Sequence, residues 1–200
     1  MSAADHFKRD IAKHEMQVIR DDGVNRHIRF KRPGTMCMHF DLLTWPGYLC
    51  YTGDMGTYVF RRLHDMFQFF RRFENYPPYR MDLRYWAEKL EACDRGDGFE
   101  AFSSDAFRAA VKVYFDQATE GDDWTDERKA SLWEEINNDV LESFYGEHEA
   151  FLALRDFRHD GFQFIDWEFD CKEYTPRFLW CCHALEWAIC TYDAAKGKEP

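Results

Sequence analysis

Asp166, Glu168 and Asp170 alternate along one acidic, aromatic-rich stretch, and they are the residues in this chain whose type and spacing come closest to chemistry. If residues 162–169 form a β-strand, the three carboxylates share one face, with neighbours about 6.6 Å apart by strand rise. Such a set can hold Mg²⁺ or Mn²⁺ and support phosphodiester hydrolysis, the reaction of a metal-dependent hydrolase or nuclease. A solvated acidic strand face opposite Ile165, Trp167 and Phe169 accounts for the same pattern. No histidine or lysine motif accompanies the carboxylates, so catalysis is the alternative reading and no metal ligand is assigned.

Cys181-Cys182-His183 is the second cluster of suitable residue types. Its surroundings have helical periodicity, and consecutive helix residues diverge by about 100°, so the three cannot meet on one ion. The sequence contains no C-x-x-C, no H-E-x-x-H, no G-x-x-x-x-G-K-[ST] and no G-x-G-x-x-G. No cofactor is expected, and the balance leans away from an enzyme. Gly53-Asp54-Met55-Gly56 is glycine-rich, but it lies between two strand patterns and is therefore hairpin turn chemistry. His27, Arg29 and Lys31, joined by His39, form a basic strip of the sort that contacts nucleic acid. The overall charge opposes that use, and the strip is expected to pair with the chain's own acidic half. Arg61-Arg62 and Arg71-Arg72 are expected to be solvated charges at helix ends.

The elements that must position these residues are set by turn signals and periodicity. Asp21-Asp22-Gly23, Pro33-Gly34, Trp45-Pro46-Gly47 and Gly53 to Gly56 separate strand patterns at residues 15–20, 24–31, 36–44, 48–52 and 57–60. Connections this short join antiparallel neighbours. Leu63, Met66, Phe67 and Phe70 then fall at i, i+3, i+4 and i+7, one face of an aromatic helix. Residues 75–79, with two prolines, break the chain. Helical patterns come next at 81–93, from Ser103 or Ser104 to 119, at 125–145 and at 147–157. A last helix starts at Thr175-Pro176 and runs to 195, with threonine at the cap and proline in the first turn. A short amphipathic helix at 4–13 precedes the sheet. The expected architecture is α+β: an N-terminal antiparallel meander of about five strands packed against about six helices. The 200 residues are expected to form a single domain, with the meander and aromatic helix in 1–75 and an acidic helical part in 76–200.

Hydrophobic residues make up 46% of the chain, and 19 Phe with 7 Trp make large rings the main core material. The opening residues 1–15 are charged throughout, and no apolar run reaches about 18 residues, so neither a secretory leader nor a membrane span is expected. Seven cysteines without disulfide-framework spacing fit free thiols in a reducing cytoplasm. The net charge of −11 is unevenly spread. Residues 1–90 carry 15 Lys/Arg against 11 Asp/Glu, whereas residues 91–200 carry 11 against 26. On the helix at 125–145, Glu135, Asp139 and Glu142 fall opposite the stripe Trp133, Ile136, Val140 and Phe144, forming an acidic ridge toward solvent. These three are the candidate binding residues, because clustered charge of one sign directs encounter with a partner of the other.

The segment RDDGVNRHIRFKRPGT, followed by FDLLTWPGYLCYTGDMGTYVFRRLHDMFQFFR, resembles a family of proteins carried by bacteriophages and prophages, most densely over residues 15–73. The resemblance brings no catalytic residues with it. It implies a setting, the cytoplasm of a bacterial host, and a phage accessory role exercised by binding. The expected partner is a host protein or nucleoprotein complex, with an anti-defence inhibitor of a nucleic-acid-handling system as the role. Direct nucleic-acid binding and membrane association are not expected.

Overall fold

The computed structural model describes residues 2–71, 81–96, 98–121 and 123–197. Arg72, the double-proline break at 75–79 and the chain end at 198–200 lie outside them. The chain runs α1 (Ala3–Ile11), β1 (Glu15–Asp22), β2 (Asn25–Lys31), β3 (Phe40–Trp45), β4 (Tyr48–Gly53), β5 (Gly56–Arg61), α2 (Phe67–Phe70), α3 (Leu83–Ala87) and β6 (Leu90–Cys93). It continues through β7 (Glu100–Phe102), α4 (Ser104–Ala118), α5 (Asp126–Ile136), a π-helical turn (Asn137–Leu141), α6 (Glu147–Asp156), β8 (Lys172–Tyr174) and α7 (Pro176–Ala195). The fold is α+β. It divides into a sheet unit, Met1–Glu100 with Tyr174–Pro200, and a helical unit, Ala101–Glu173. No helix among the described residues is long and apolar enough to cross a membrane.

The sheet unit obeys its turn residues. Strands β1 to β6 pair in sequence order, each antiparallel to the next. Gly23 and Gly47 take φ of +59° and +85° in the β1–β2 and β3–β4 connections, a region a side chain rarely adopts. Gly53 is required for another reason, because a Cβ there would lie 2.2 Å from the His39 carbonyl oxygen. Alternation then places Ile28, Phe30, Phe40, Leu42, Leu49, Tyr51, Tyr58 and Phe60 on one face, all buried.

That face is covered by α1 and α7. Thr175 caps α7 by accepting the Phe178 amide, and Pro176 occupies the first turn. The helix is buried around most of its circumference, with Phe178, Trp180, Cys181, Cys182, Leu185, Ala188, Ile189 and Tyr192 all in the core. Phe7 of α1 meets Trp180 edge-on at 5.1 Å, and Phe40 of the sheet does so at 5.7 Å. Burying one such apolar side chain contributes about 1.5–3 kcal/mol. Ser2 and Asp5 fix the start of α1 through a reciprocal capping box.

Three local expectations are corrected. The strand expected from residue 36 begins at Phe40, because Met38 turns to φ +58° and its amide donates to Asp54 Oδ2 at 2.6 Å. The aromatic helix is a single turn. Leu63 is exposed, and the Met66 sulfur folds back to accept the Arg62 and Leu63 amides. The helix expected at 81–93 stops at Ala87, and Leu90–Cys93 becomes the sixth strand by pairing with Tyr58, Val59 and Phe60. Of the arginines expected as solvated charges at helix ends, Arg61 and Arg62 are exposed, but Arg61 ends β5 and lies over the Tyr48 ring, and Arg62 Nε donates to the Tyr85 hydroxyl. Arg71 does cap the end of α2, where it donates to the buried Asp193 instead of facing water alone.

The helical unit has a core of its own, built on Phe107, Val111, Phe115, Leu132, Ile136, Val140, Leu141, Leu154, Phe157 and Phe162. Ser103 and Thr125 cap α4 and α5.

Two measurements check this architecture. Asp193 is 2% exposed and is held by Arg71 Nε and a terminal nitrogen at 2.7 and 2.8 Å, whereas the Arg71 side chain keeps 24% of its exposure. Arg71→Ala strands a buried carboxylate and should cost about 3–5 kcal/mol in urea unfolding, whereas Asp193→Asn leaves an arginine able to reach water and should cost less. Equal losses would contradict the assigned burial. None of the seven cysteines is in a disulfide, and Cys37 and Cys93 are exposed whereas Cys171, Cys181 and Cys182 are buried. Burial pushes the Cys181 and Cys182 thiols up, away from the reactive thiolate. A thiol reagent should label Cys37 and Cys93 first and count seven after denaturation without reductant; five or fewer would mean disulfides.

Candidate interaction surface

The segment expected to form the carboxylate strand is irregular. Asp166 takes φ +50°, and the hydrogen bonds of Ile165 go to a side chain instead of a neighbouring strand. The Tyr114 hydroxyl donates to the Ile165 carbonyl at 3.0 Å and accepts the Ile165 amide at 2.8 Å. With its backbone held in this way, the segment turns Phe162, Phe164, Trp167 and Phe169 toward the core and leaves Ile165 55% exposed. Asp166, Glu168 and Asp170 all face solvent without the shared strand face that metal binding required. Among the described residues no three His, Cys, Asp or Glu side chains converge as metal ligands. Cys181 and Cys182 are buried core thiols, and His183 stacks on Phe7, its pKa lowered by burial.

Within the basic strip, Arg29 and His27 share one carboxylate of the sheet itself, Asp41, in place of the pairing expected with the acidic half. Arg29 donates to both oxygens of Asp41 at 2.8 Å, and His27 Nε2 lies 2.7 Å from Asp41 Oδ2. Burial alone would push the Asp41 pKa up, but the bonds from Arg29 and His27 outweigh it and hold the carboxylate below its usual range. His39 is outside the strands and pairs with Asp54 at 3.0 Å.

The helical unit retains a large surplus of negative charge. It carries 19 Asp/Glu against 7 Lys/Arg, a net of −12, whereas the sheet unit carries 18 against 19, a net of +1. Each described carboxylate of the helical unit is exposed except Glu135, which is half-buried. Lys112–Asp116, Arg128–Asp160 and Arg155–Asp156 are ion pairs inside it.

The straight ridge expected of Glu135, Asp139 and Glu142 requires one helix continuing to residue 145. The α-helical pattern instead ends at Ile136 and widens into the π-turn, where the Glu142 amide donates to the Asn137 carbonyl. One extra residue in a turn rotates the next residues by about 100°. Glu142 is therefore displaced from the line of Glu135, and Asp139 sits in the widened turn itself. Val140 and Leu141 of the widened turn are both buried in the unit's core. The turn also throws Tyr145 fully into solvent, between Glu142 and Glu147.

At the start of α5 the unit holds an arginine of its own in an open cleft of about 440 Å³. The Arg128 guanidinium lies 4.0 Å from the Trp124 ring centroid, and its Nε donates to Asp160 Oδ2 at 2.7 Å. Cation–π contact and charge-assisted hydrogen bonding act on it together.

Comparisons with protein-family models, curated proteins and solved structures return no match to this chain.

The dispersal of Asp166, Glu168 and Asp170 has a direct test. Mn²⁺ or Mg²⁺ should leave the melting temperature unchanged, since a cation bound only by the folded state must raise it. A saturable rise that Asp166→Ala removes would restore the metal site.

Proposed function

We propose that the protein acts by binding a basic macromolecular surface through its helical unit, with no reaction of its own. The carrying observation is the concentration of a −12 net charge in residues 101–173, displayed on exposed carboxylates while the sheet unit is nearly neutral. Single-sign surfaces accelerate encounter with oppositely charged partners and fix their orientation.

The partner class that best complements such a surface is a protein whose basic groove ordinarily takes nucleic acid, which an acidic face can occupy in its place. The resemblance to phage-carried proteins supplies the setting. The partner is then a nucleic-acid-handling protein or nucleoprotein complex of a bacterial host, and inhibition of a defence system is the corresponding role.

The test is a triple reversal, Glu135→Lys with Asp139→Lys and Glu142→Lys, measured on a partner captured from nuclease-treated host lysate and then purified. Asp139 and Glu142 are exposed, where changes usually stay within about ±0.5 kcal/mol of stability; Glu135 is half-buried, so an unchanged circular dichroism spectrum is required before affinity is read. Affinity at low salt should drop by about tenfold, or 1.4 kcal/mol, and the remaining binding should depend less on ionic strength. Full affinity in the folded variant would remove the acidic face from the function.

A further inference from the structure

Beside the carboxylates that fail as a metal site lies a pocket of about 220 Å³, lined by Phe151, Leu154 and Arg155 of α6 and by Phe164 and Trp167. The three α6 residues fall at i, i+3 and i+4, one face of the helix. The Phe164 and Trp167 rings stand edge to face at 5.9 Å. Phe151, Phe164 and Trp167 are each only half-buried, so the walls are apolar and reach solvent. The sole charged lining residue, Arg155, is held by Asp156 at 2.7 and 2.9 Å. The volume is below the range of sites for drug-sized ligands and cofactors, and it suits a single side chain.

A further feature bears on what enters it. Asp166 and Glu168 bracket Trp167 in sequence and are exposed, so the pocket belongs to the carboxylate-rich surface of the −12 unit.

We propose that the pocket receives one apolar side chain, leucine or phenylalanine, from a Lys/Arg-rich segment of the partner, whose flanking cations lie against the surrounding carboxylates. Charge complementarity selects the occupant: an apolar anchor alone has many possible sources, but one embedded in basic sequence is favoured here and an acidic one is repelled. The proposal rests on the acidic-surface reading above and adds to it the anchor that charge cannot supply. Binding energy in interfaces concentrates in such desolvated pockets, while exposed charge pairs mainly steer.

The experiment uses the full chain and three short fluorescein-labelled peptides, read by anisotropy at low and at physiological salt. One is lysine-rich with a single central leucine. The second has alanine at that position, and the third keeps the leucine but has glutamate for lysine. The leucine peptide should bind about tenfold more tightly than the alanine peptide, and that ratio should persist as salt weakens both. The glutamate peptide should not bind. Phe151→Ala should erase the leucine advantage while leaving the alanine peptide unaffected. Independently of any variant, a photo-crosslinking leucine at the central position should attach to Phe151, Leu154, Phe164 or Trp167. Equal affinity of the leucine and alanine peptides, or attachment elsewhere, would overturn the pocket and leave the acidic-surface reading standing. Failure of both basic peptides to bind at low salt would overturn the two together.

Discussion

An ionic network built around the buried Arg26 and Asp193 at the C-terminal end of α7 is the constraint on which the sheet unit depends. Arg26 of β2 is 7% exposed and donates to both oxygens of Asp65 at 2.7 and 3.0 Å, with its guanidinium 4.5 Å from the Phe67 ring centroid. Asp21 of β1 accepts from the Tyr192 hydroxyl at 2.8 Å and pairs with Lys196 at 2.6 Å. Arg71 reaches Asp193. The first hairpin, the residues after β5 and the last helix are thus fastened at one place by groups far apart in sequence. An apolar helix could slide on an apolar sheet with little penalty, whereas a misplaced buried charge is costly. The network therefore fixes the register that Phe178, Leu185 and Ile189 only make favourable. Burial raises the pKa tendencies of Asp21 and Asp65 less than their partners lower them, and both carboxylates stay below their usual range. The network accordingly contributes its stability above the unfolded-state carboxylate pKa and loses it as pH falls through the lowered values.

The parts of the fold that were legible in the sequence are those set by local chemistry. Asp22-Gly23, Pro46-Gly47 and Gly53–Gly56 impose turns whatever surrounds them, and the alternation between them places Ile28, Phe30, Leu42 and Phe60 without further information. Ser103, Thr125 and Thr175 mark helix starts for the same reason. What escaped was decided by distant partners. Leu90 to Cys93 fits a helical stripe with Leu83, Trp86 and Ala87, yet the open edge of β5 supplies hydrogen bonds that make it a strand. Residues 162–169 alternate like a strand, but the hydroxyl of Tyr114, 51 positions away, takes the bonds a neighbouring strand would have made. The basic strip was legible as a strip; the pairing of His27 and Arg29 with Asp41 depends on the register of β2 against β3.

The candidate surface was legible in the same uneven way. Composition alone locates the acidic surplus, since charge needs no fold to be counted. The alignment of Glu135, Asp139 and Glu142 required a straight helix, and the π-turn at Asn137–Leu141, which no periodicity signals, interrupts it. The pocket was not visible at all, because it is made where α6 meets an irregular segment that no periodicity describes.

A compact unit with a net charge of −12 works against its own stability, since like charges crowd together on folding. The arrangement of its core indicates how that repulsion is met. Phe102, Phe107, Tyr114, Phe115, Trp133, Phe144, Phe151, Phe162, Phe164, Trp167 and Phe169 are joined by ring contacts, many of them edge to face. Each such pair adds about 0.5–1.5 kcal/mol beyond the area it buries, whereas repulsion between exposed carboxylates more than about 8 Å apart is largely screened at physiological salt. Aromatic packing is short-ranged and unaffected by ionic strength in the way that surface charge is. The two terms therefore act on different properties. The rings hold the unit together, and the carboxylates remain available to meet cations from outside, a division that the sheet unit, where Lys196, Arg29, Arg26 and Arg71 pair with Asp21, Asp41, Asp65 and Asp193, does not make.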